Sequence, residues 1–178
     1  MTTALCYEVA DIAEGLAVRA DEAGMNSLSP PEQVIVWAWS ATGIISNGGF
    51  RHFSEGATDI VAVADAFETL GLPEAAEACH ASKECFPASV LAVGYEQTRE
   101  WMARLDETKL DVFFGPLDDV IWSLTDNDRL AHALALFIYG DAEEQGGQHI
   151  ALDWKAGPFD ALVGQAKQDL MMGQGAPL

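Results

Sequence analysis

The run from Val34 to Ile45, VIVWAWSATGII, is apolar or small at every position. A helix that is apolar on all faces offers no side to water and is therefore buried. The run is too short to cross a bilayer, which takes about 20 such residues. It predicts a central core helix around which the rest of the chain must pack.

Residues on the N-terminal side of this run mark where the helix starts. Ser29 can cap it, and Glu32, three positions later, can reach back to the N–H of the cap. Pro30 and Pro31 fall in the first turn, where a missing N–H is harmless. The helix is therefore predicted to begin at Ser29.

A glycine pair predicts the other end of the helix. Asn47, Gly48 and Gly49 tolerate positive φ, so they suit a left-handed cap and a sharp turn. Phe50 and Phe53 then lie on one helical face, ready to fold back on the core. We interpret these five residues as a structural motif.

Helical spacing recurs along the chain. Leu5, Val9, Ile12 and Leu16 form a first stripe, and Gly24 ends it. A third helix covers 60–70 and ends at Gly71, a fourth opens at Pro73, and a fifth covers about 88–105. No period of two persists, so we predict an all-α, single compact multi-helix domain around a buried central helix.

The second half of the chain contains a predicted helix break. Leu110, Phe113 and Phe114 suggest one short turn that Gly115-Pro116 interrupts before a sixth helix over 117–124. Asp126 is expected to cap a seventh helix. We assign residues 1–146 to the all-α domain and 147–178 to a C-terminal extension with one helix, opened by Pro158, and a loose tail.

The charge of the chain is its main functional clue. There are 28 acids against 9 bases, a net charge of −19, whereas small domains usually carry a magnitude of about 2–8. Such a surface repels nucleic acid and anionic membranes and attracts basic partners. Solubility or a salt-rich habitat explains the same charge equally well.

No catalytic constellation emerges from the remaining polar residues. Cys6, Cys79 and Cys85 are odd in number and lack paired spacing, so we expect free thiols in a reducing cytoplasm and no metal or cofactor. The N-terminus MTTALCYEVAD has no basic region of a signal peptide. Arg51 and His52 follow the glycine turn, which can cradle an anion, but the Lys and Ser/Thr of a phosphate loop are missing.

The acids are spread over structured segments and do not form a low-complexity tail. Carboxylates on adjacent helical turns lie about 6 Å apart, a spacing similar to that of phosphates along a DNA strand. A solvated face is the ordinary alternative. The candidate partner-binding residues are Asp106, Glu107, Asp111, Asp118, Asp119, Asp126, Asp128, Asp141, Glu143 and Glu144.

At this point the chain resembles a bacterial DNA-mimic protein family, a domain of otherwise unknown function with an Asn-Gly-Gly-Phe turn between helices. The resemblance rests on Val34–Ile45 leading into Asn47-Gly48-Gly49-Phe50-x-x-Phe53, with weaker likeness up to Glu144. It implies an all-α fold. For one characterised branch it also implies a dimeric acidic protein that occupies the DNA-binding surface of a transcription factor and relieves repression.

Three hypotheses follow. The first is a non-enzymatic cytoplasmic protein that binds a basic, DNA-binding protein by imitating the charge of DNA, without contacting nucleic acid or membrane itself. The second is an immunity-type partner that neutralises another protein. The third is a small-anion binder or enzyme centred on Arg51 and His52, which a concave pocket holding both side chains would favour.

Overall fold

The computed structural model describes residues 3–56, 58–91 and 95–139, and every regular element in these ranges is helical. This confirms the all-α prediction. The α-helices are α1 (Thr3–Ala23), α2 (Pro30–Ser54), α3 (Ile60–Thr69), α4 (Pro73–Ser82), α5 (Ala88–Leu91), α6 (Tyr95–Met102), α7 (Glu107–Asp126) and α8 (Arg129–Tyr139). Short 3-10 turns follow α1 and α4.

Helix α2 forms the centre of the fold, as its composition predicts. Ile35, Ala38, Ala41 and Ile45 are essentially inaccessible to solvent. The helix packs against α1, α3 and α7, so its apolar residues find partners on several sides. Because it contacts elements from both halves of the chain, α2 fixes where α7 can lie.

The predicted start of α2 is confirmed. One carboxylate oxygen of Glu32 accepts hydrogen bonds from the backbone N–H of Ser29 at 2.8 Å and from its hydroxyl at 2.7 Å. Its other oxygen pairs with Arg19 of α1 at 2.7 Å. The bonds from Ser29, and then the bond from Arg19, lower the pKa of Glu32 to about 2. The capping box therefore also joins α1 to α2.

The predicted end of α2 is confirmed in part. The range of α2 extends to Ser54, but it consists of two helical segments that meet at a kink at Gly49, where φ is 71° and ψ is 177°. This conformation is open essentially to glycine alone. The positive φ and the change of direction are therefore as predicted, but ψ is extended and not left-handed, and a second helical segment follows directly.

The predicted break in the second half is also wrong. Gly115 and Pro116 lie inside α7, which runs without interruption from Glu107 to Asp126. A proline in a helix interior removes one backbone hydrogen bond. Here Phe113, Phe114 and Leu117 are buried on both sides of it, so packing against the core holds the helix together where local propensity would break it.

Asp126 does not cap a following helix. It is the last residue of α7, and α8 begins at Arg129 after Asp128, whose φ is 51°. Arg129 forms an ion pair with Glu74 of α4, with both side chains largely buried. The start of α8 is therefore anchored to α4 by a charge pair.

Other boundaries agree with the sequence. Gly24 and Gly71 have positive φ after α1 and α3, and Pro73 opens α4. The predicted fifth helix is seen as α5 and α6, while residues 92–94 lie outside the described ranges. The predicted extension over 147–178, including its helix at Pro158, also lies outside them.

Candidate functional site

The kink in α2 is held by an acid from α7. Asp118 Oδ1 accepts a hydrogen bond of 2.7 Å from the backbone N–H of Phe50. After the kink, Phe50 opens a new helical turn, whose first N–H groups have no acceptor within the helix. Asp118 thus does for this turn what a capping residue does for a helix, although it lies 68 positions away in sequence.

Close contact between the two helices requires the glycine. A Cβ built on Gly49 would lie 2.6 Å from Asp118 Oδ2 and 3.1 Å from its Cγ. Both values are shorter than an ordinary van der Waals contact. Gly49 therefore serves two needs at once, because its φ excludes other residues and its missing side chain leaves room for Asp118.

The environment of Asp118 is unfavourable for a free carboxylate. Burial raises its pKa, the hydrogen bond from Phe50 lowers it, and the charges of Asp119 and Asp111 raise it again, for a net upward shift. A predicted partner-binding acid is therefore half-buried and already hydrogen-bonded inside the protein.

Beside this junction, the guanidinium of Arg51 is surrounded by carboxylates. Its guanidinium pairs with Glu107 at 2.8 Å. The hydrogen bond to Glu107, together with the charges of Glu107, Glu55 and Asp111, raises the pKa of Arg51. The positive charge of Arg51 is thus balanced by acids of the same protein. Glu107, a second predicted contact acid, is one of them.

The outward side of α7 is different. We call Asp111, Val112, Asp119, Trp122 and Asp126 the outer α7 face. All five side chains are exposed, and in the part of the chain that the structure describes the three acids form no ion pair with a base. Val112 is 59 % exposed and Trp122 is 41 % exposed. Exposed acids therefore flank exposed apolar side chains along one helix.

Of the remaining predicted acids, two lie within the described residues and three lie outside them. Asp106 caps α7, its carboxylate accepting the Lys109 backbone N–H at 3.1 Å, and stays exposed. Asp128 is exposed in the turn between α7 and α8. Asp141, Glu143 and Glu144 lie outside the described residues. Asp106 and Asp128 extend the acidic surface at the two ends of α7.

Helix α7 alone carries fewer negative charges than B-DNA of the same length. With 20 residues, α7 is about 30 Å long, and B-DNA carries roughly 18 charges over that distance. The acids along α7 are Glu107, Asp111, Asp118, Asp119 and Asp126. A DNA-like surface must therefore combine α7 with acids from neighbouring elements.

Features of an active site are not brought together in the described ranges. The cavity at the end of α2 is lined by neither Arg51 nor His52, and His52 is exposed. Burial raises the pKa of both Cys79 and Cys85 to about 12, which confirms them as core cysteines. In residues 3–56, 58–91 and 95–139, no group of three or more His, Cys, Asp or Glu could hold a metal.

Within the described helices, none combines the length and the hydropathy that a bilayer crossing requires.

Two features could not be found from the sequence. The partnership between Asp118 and the Gly49 kink joins distant positions, and although the helical period of α7 places Asp118 beside the apolar stripe, it does not identify the group that Asp118 contacts. The exposure of Trp122 was also missed, because a tryptophan near an apolar stripe is by default assigned to the core. The register of α7 on the core decides both.

Comparison with known proteins provides one match. A family model described as DMP19-like protein matches residues 26–140, from the turn before α2 to the residue after α8. No curated protein and no solved structure matches the chain. The matched range covers well over half of the 178 residues and includes the Gly49–Asp118 junction and the outer α7 face, so this chain belongs to the DMP19-like family, a family of DNA mimics.

Proposed function

We propose that this protein is a non-enzymatic acidic binding protein, and that its outer α7 face contacts a basic, DNA-binding protein surface in place of DNA. The observation that carries the proposal is the exposure of three acids on one helix. Asp111, Asp119 and Asp126 are exposed and form no ion pair with any base in the described ranges. The charges of Asp119 and Asp126 are therefore available to a partner, and Asp111 adds a further exposed charge that also acts on Arg51.

Family membership and net charge support the same function. The chain belongs to a family of DNA mimics and carries a net charge of −19. A protein that binds DNA has a positive surface evolved to displace counterions, and a rigid acidic helix, together with acids of neighbouring elements, can occupy that surface. Steering by the whole charge of the protein would speed the encounter.

The choice of acids follows from the structure. Asp118 and Glu107 are engaged within the protein, so changing them would disturb the fold as well as the surface. Asp111, Asp119, Asp126 and Asp128 can be replaced by Asn without removing a side-chain hydrogen bond or ion pair that forms within the described part of the chain. Removing like charges also lessens self-repulsion, so this quadruple variant should remain folded.

The test is capture of a partner followed by measurement with purified components. The immobilised protein is incubated with host lysate at low salt, and bound protein is eluted with a salt gradient and then with duplex DNA. With the purified partner, the quadruple variant should bind about 10- to 100-fold more weakly, because each exposed charge pair contributes about 0.2–1 kcal/mol.

A matched control removes the same number of charges elsewhere. Asp11, Glu14, Asp21 and Glu22 are exposed on α1, and their amide variant has the same net charge as the first. The proposal requires that this control bind much more tightly than the α7 variant. Equal losses would show that only net charge matters, and binding that is insensitive to salt would contradict charge mimicry.

A second candidate is an immunity-type protein that neutralises a partner without a DNA site. The exposure of Trp122 and Val112 favours it, because aromatic side chains commonly dominate the energy of protein–protein interfaces. Duplex DNA separates the candidates, since it displaces a partner held at a DNA site and leaves a neutralised partner in place. Trp122→Ala should weaken the second kind of complex more than the first.

A further inference from the structure

A cavity of about 480 Å³ lies on a part of the molecule to which α7 contributes no lining residue. It is formed where the end of α2, the start of α3 and the turn after α4 meet α5 and α6. Its volume falls in the range of small-molecule sites, about 300–1,000 Å³. The acidic surface and this cavity are therefore separate features.

Most of the lining is apolar. Phe53 comes from the turn after the Gly49 kink, Ile60 and Val61 from α3, Phe86 from the segment after α4, and Leu91 from α5. Phe53 and Phe86 are buried, whereas Val61 and Leu91 are partly exposed, at 43 % and 39 %. The walls suit a hydrocarbon or aromatic group that enters from solvent.

Two charged residues line the same cavity, and only one of them has hydrogen-bond partners for its charged group within the described residues. Asp59 caps α3, one of its oxygens accepting the N–H groups of Val61 at 3.0 Å and Ala62 at 3.3 Å. Lys83 is half-buried, and its ammonium has no hydrogen bond or ion pair in residues 3–56, 58–91 and 95–139. The carboxylate of Asp59 keeps its negative charge but is directed to the N-terminus of α3, so Lys83 is the charged group of the lining that is left to bind a ligand.

Lys83 differs from the other bases of the described residues in combining partial burial with the lack of an ion pair there. Arg19, Arg51, Arg104 and Arg129 each pair with an acid, and Arg99 is exposed. In a chain of net charge −19, a half-buried lysine that finds no acidic partner among the described residues and lines an apolar cavity is a specific arrangement. A buried or partly buried charge is stabilised by an opposite charge that reaches it.

We propose that this cavity binds a small apolar monocarboxylate, whose carboxylate pairs with Lys83 and whose hydrocarbon part contacts Phe53, Ile60 and Phe86. A cation of similar shape would meet the ammonium of Lys83. A neutral molecule would fill the apolar walls but leave Lys83 unpaired. The negative charge of the whole protein acts on all anions alike, and at physiological salt it is screened over about 8 Å.

The probe is sodium octanoate, titrated calorimetrically into the full-length protein, with octan-1-ol and octylammonium as chain-matched neutral and cationic probes. Octanoate should bind saturably at one site and at least about tenfold more tightly than either analogue, as expected for one charge-assisted contact. Amide chemical shifts of Val61 and Thr98, which line the cavity, should move on binding.

Matched variants separate the charge from the cavity. Lys83→Met keeps the side-chain stem and should lower octanoate affinity about tenfold while leaving octan-1-ol binding unchanged. Arg104→Met removes one positive charge at an exposed site outside the cavity and should leave octanoate binding as it is. Val61→Trp, at a partly exposed position of the lining, should block both probes, with circular dichroism confirming that each variant is folded.

Several results would overturn the proposal. Absence of saturable octanoate binding up to about 10 mM would show that the cavity is not a carboxylate-binding site. Equal affinity for octanoate and octan-1-ol, or tighter binding of octylammonium, would show that Lys83 does not select the ligand. Loss of octanoate binding in Arg104→Met as large as in Lys83→Met would reduce the effect to net charge.

Discussion

Asp118 and Asp119 are neighbours on one helix, but one is half-buried and hydrogen-bonded within the protein and the other is exposed. Asp118 is turned toward α2, where it accepts the Phe50 N–H and touches Gly49. Asp119 is exposed on the outer α7 face. One residue advances a helix by about 100°, so a single step separates an acid that holds the fold from one that faces solvent. The acidic residues of this protein therefore cannot be treated as one surface.

The largest effect is expected at the glycine of the junction. Gly49→Ala introduces a side chain at φ 71° and places its Cβ 2.6 Å from Asp118 Oδ2. We expect the free energy of unfolding to fall by about 2–4 kcal/mol, from backbone strain together with loss of the close contact. Urea denaturation followed by circular dichroism measures it.

Gly43→Ala is the matched control in the same helix. A Cβ at Gly43 meets nothing within 4 Å, and alanine favours a helix over glycine by about 0.5–1 kcal/mol. This variant should be slightly more stable than the wild type. If both alanine variants change stability alike, the junction does not depend on Gly49.

A smaller effect distinguishes the two neighbouring acids. Asp118→Ala leaves the Phe50 N–H without its acceptor and should lower the free energy of unfolding by about 1–3 kcal/mol. Asp119→Ala, on the exposed side, should stay within about 0.5 kcal/mol of the wild type. Equal values for the two variants would contradict the difference between the inner and outer sides of α7.

Asp118→Asn refines this comparison. An Asn side chain keeps an oxygen that can accept the Phe50 N–H but carries no charge. It should therefore destabilise the protein less than Asp118→Ala. A partner-binding assay adds the reverse test, in which Asp119→Asn weakens binding and Asp118→Asn changes it little.

The smallest expected effect is a difference in pH dependence between two acids that both serve as caps. The pKa of Glu32 is lowered from 4.5 to about 2, so its stabilising contribution is present above pH 4.5 and is lost as the pH falls toward 2. The stability difference between wild type and Glu32→Gln should shrink over that range.

Asp118 should behave with the opposite sign. Its pKa is raised above 3.8, chiefly by burial, so the folded state holds the proton more tightly than the unfolded state does. Relative to Asp118→Asn, the wild type should lose stability as the pH rises through 3.8 and the folded pKa. Urea titrations at several pH values check both slopes, and parallel slopes would contradict the assigned environments.

Much of the fold could be predicted because its signals are local. The capping box of Ser29 and Glu32, the proline that opens α4 and the glycines after α1 and α3 each act on neighbours within a few positions. Gly115-Pro116 misled the prediction for the same reason. Local propensity indicates a break there, but burial of Phe113, Phe114 and Leu117 keeps α7 intact.

The candidate site could be predicted only in outline. The sequence located the acids of α7, and three of them, at 111, 119 and 126, are exposed without an ion pair in the described ranges, as is Asp128 in the following turn. It could not separate these from Asp118 and Glu107, whose partners Phe50 and Arg51 lie more than fifty positions away. That a partner contacts these acids stays a prediction, as do the cytoplasmic location and the extension after residue 146.

The sequence by itself determined that the chain has a central buried helix, where that helix starts, and that the molecule carries a charge of −19. These properties depend on composition and on neighbours within one or two helical turns. Only the tertiary structure decided that a second helical segment continues α2 beyond the kink at Gly49, that Asp118 holds this kink, and that Lys83 lines a cavity and finds no acidic partner among the described residues. Each of these depends on residues that meet through packing, and a single sequence does not specify the register in which two distant helices meet.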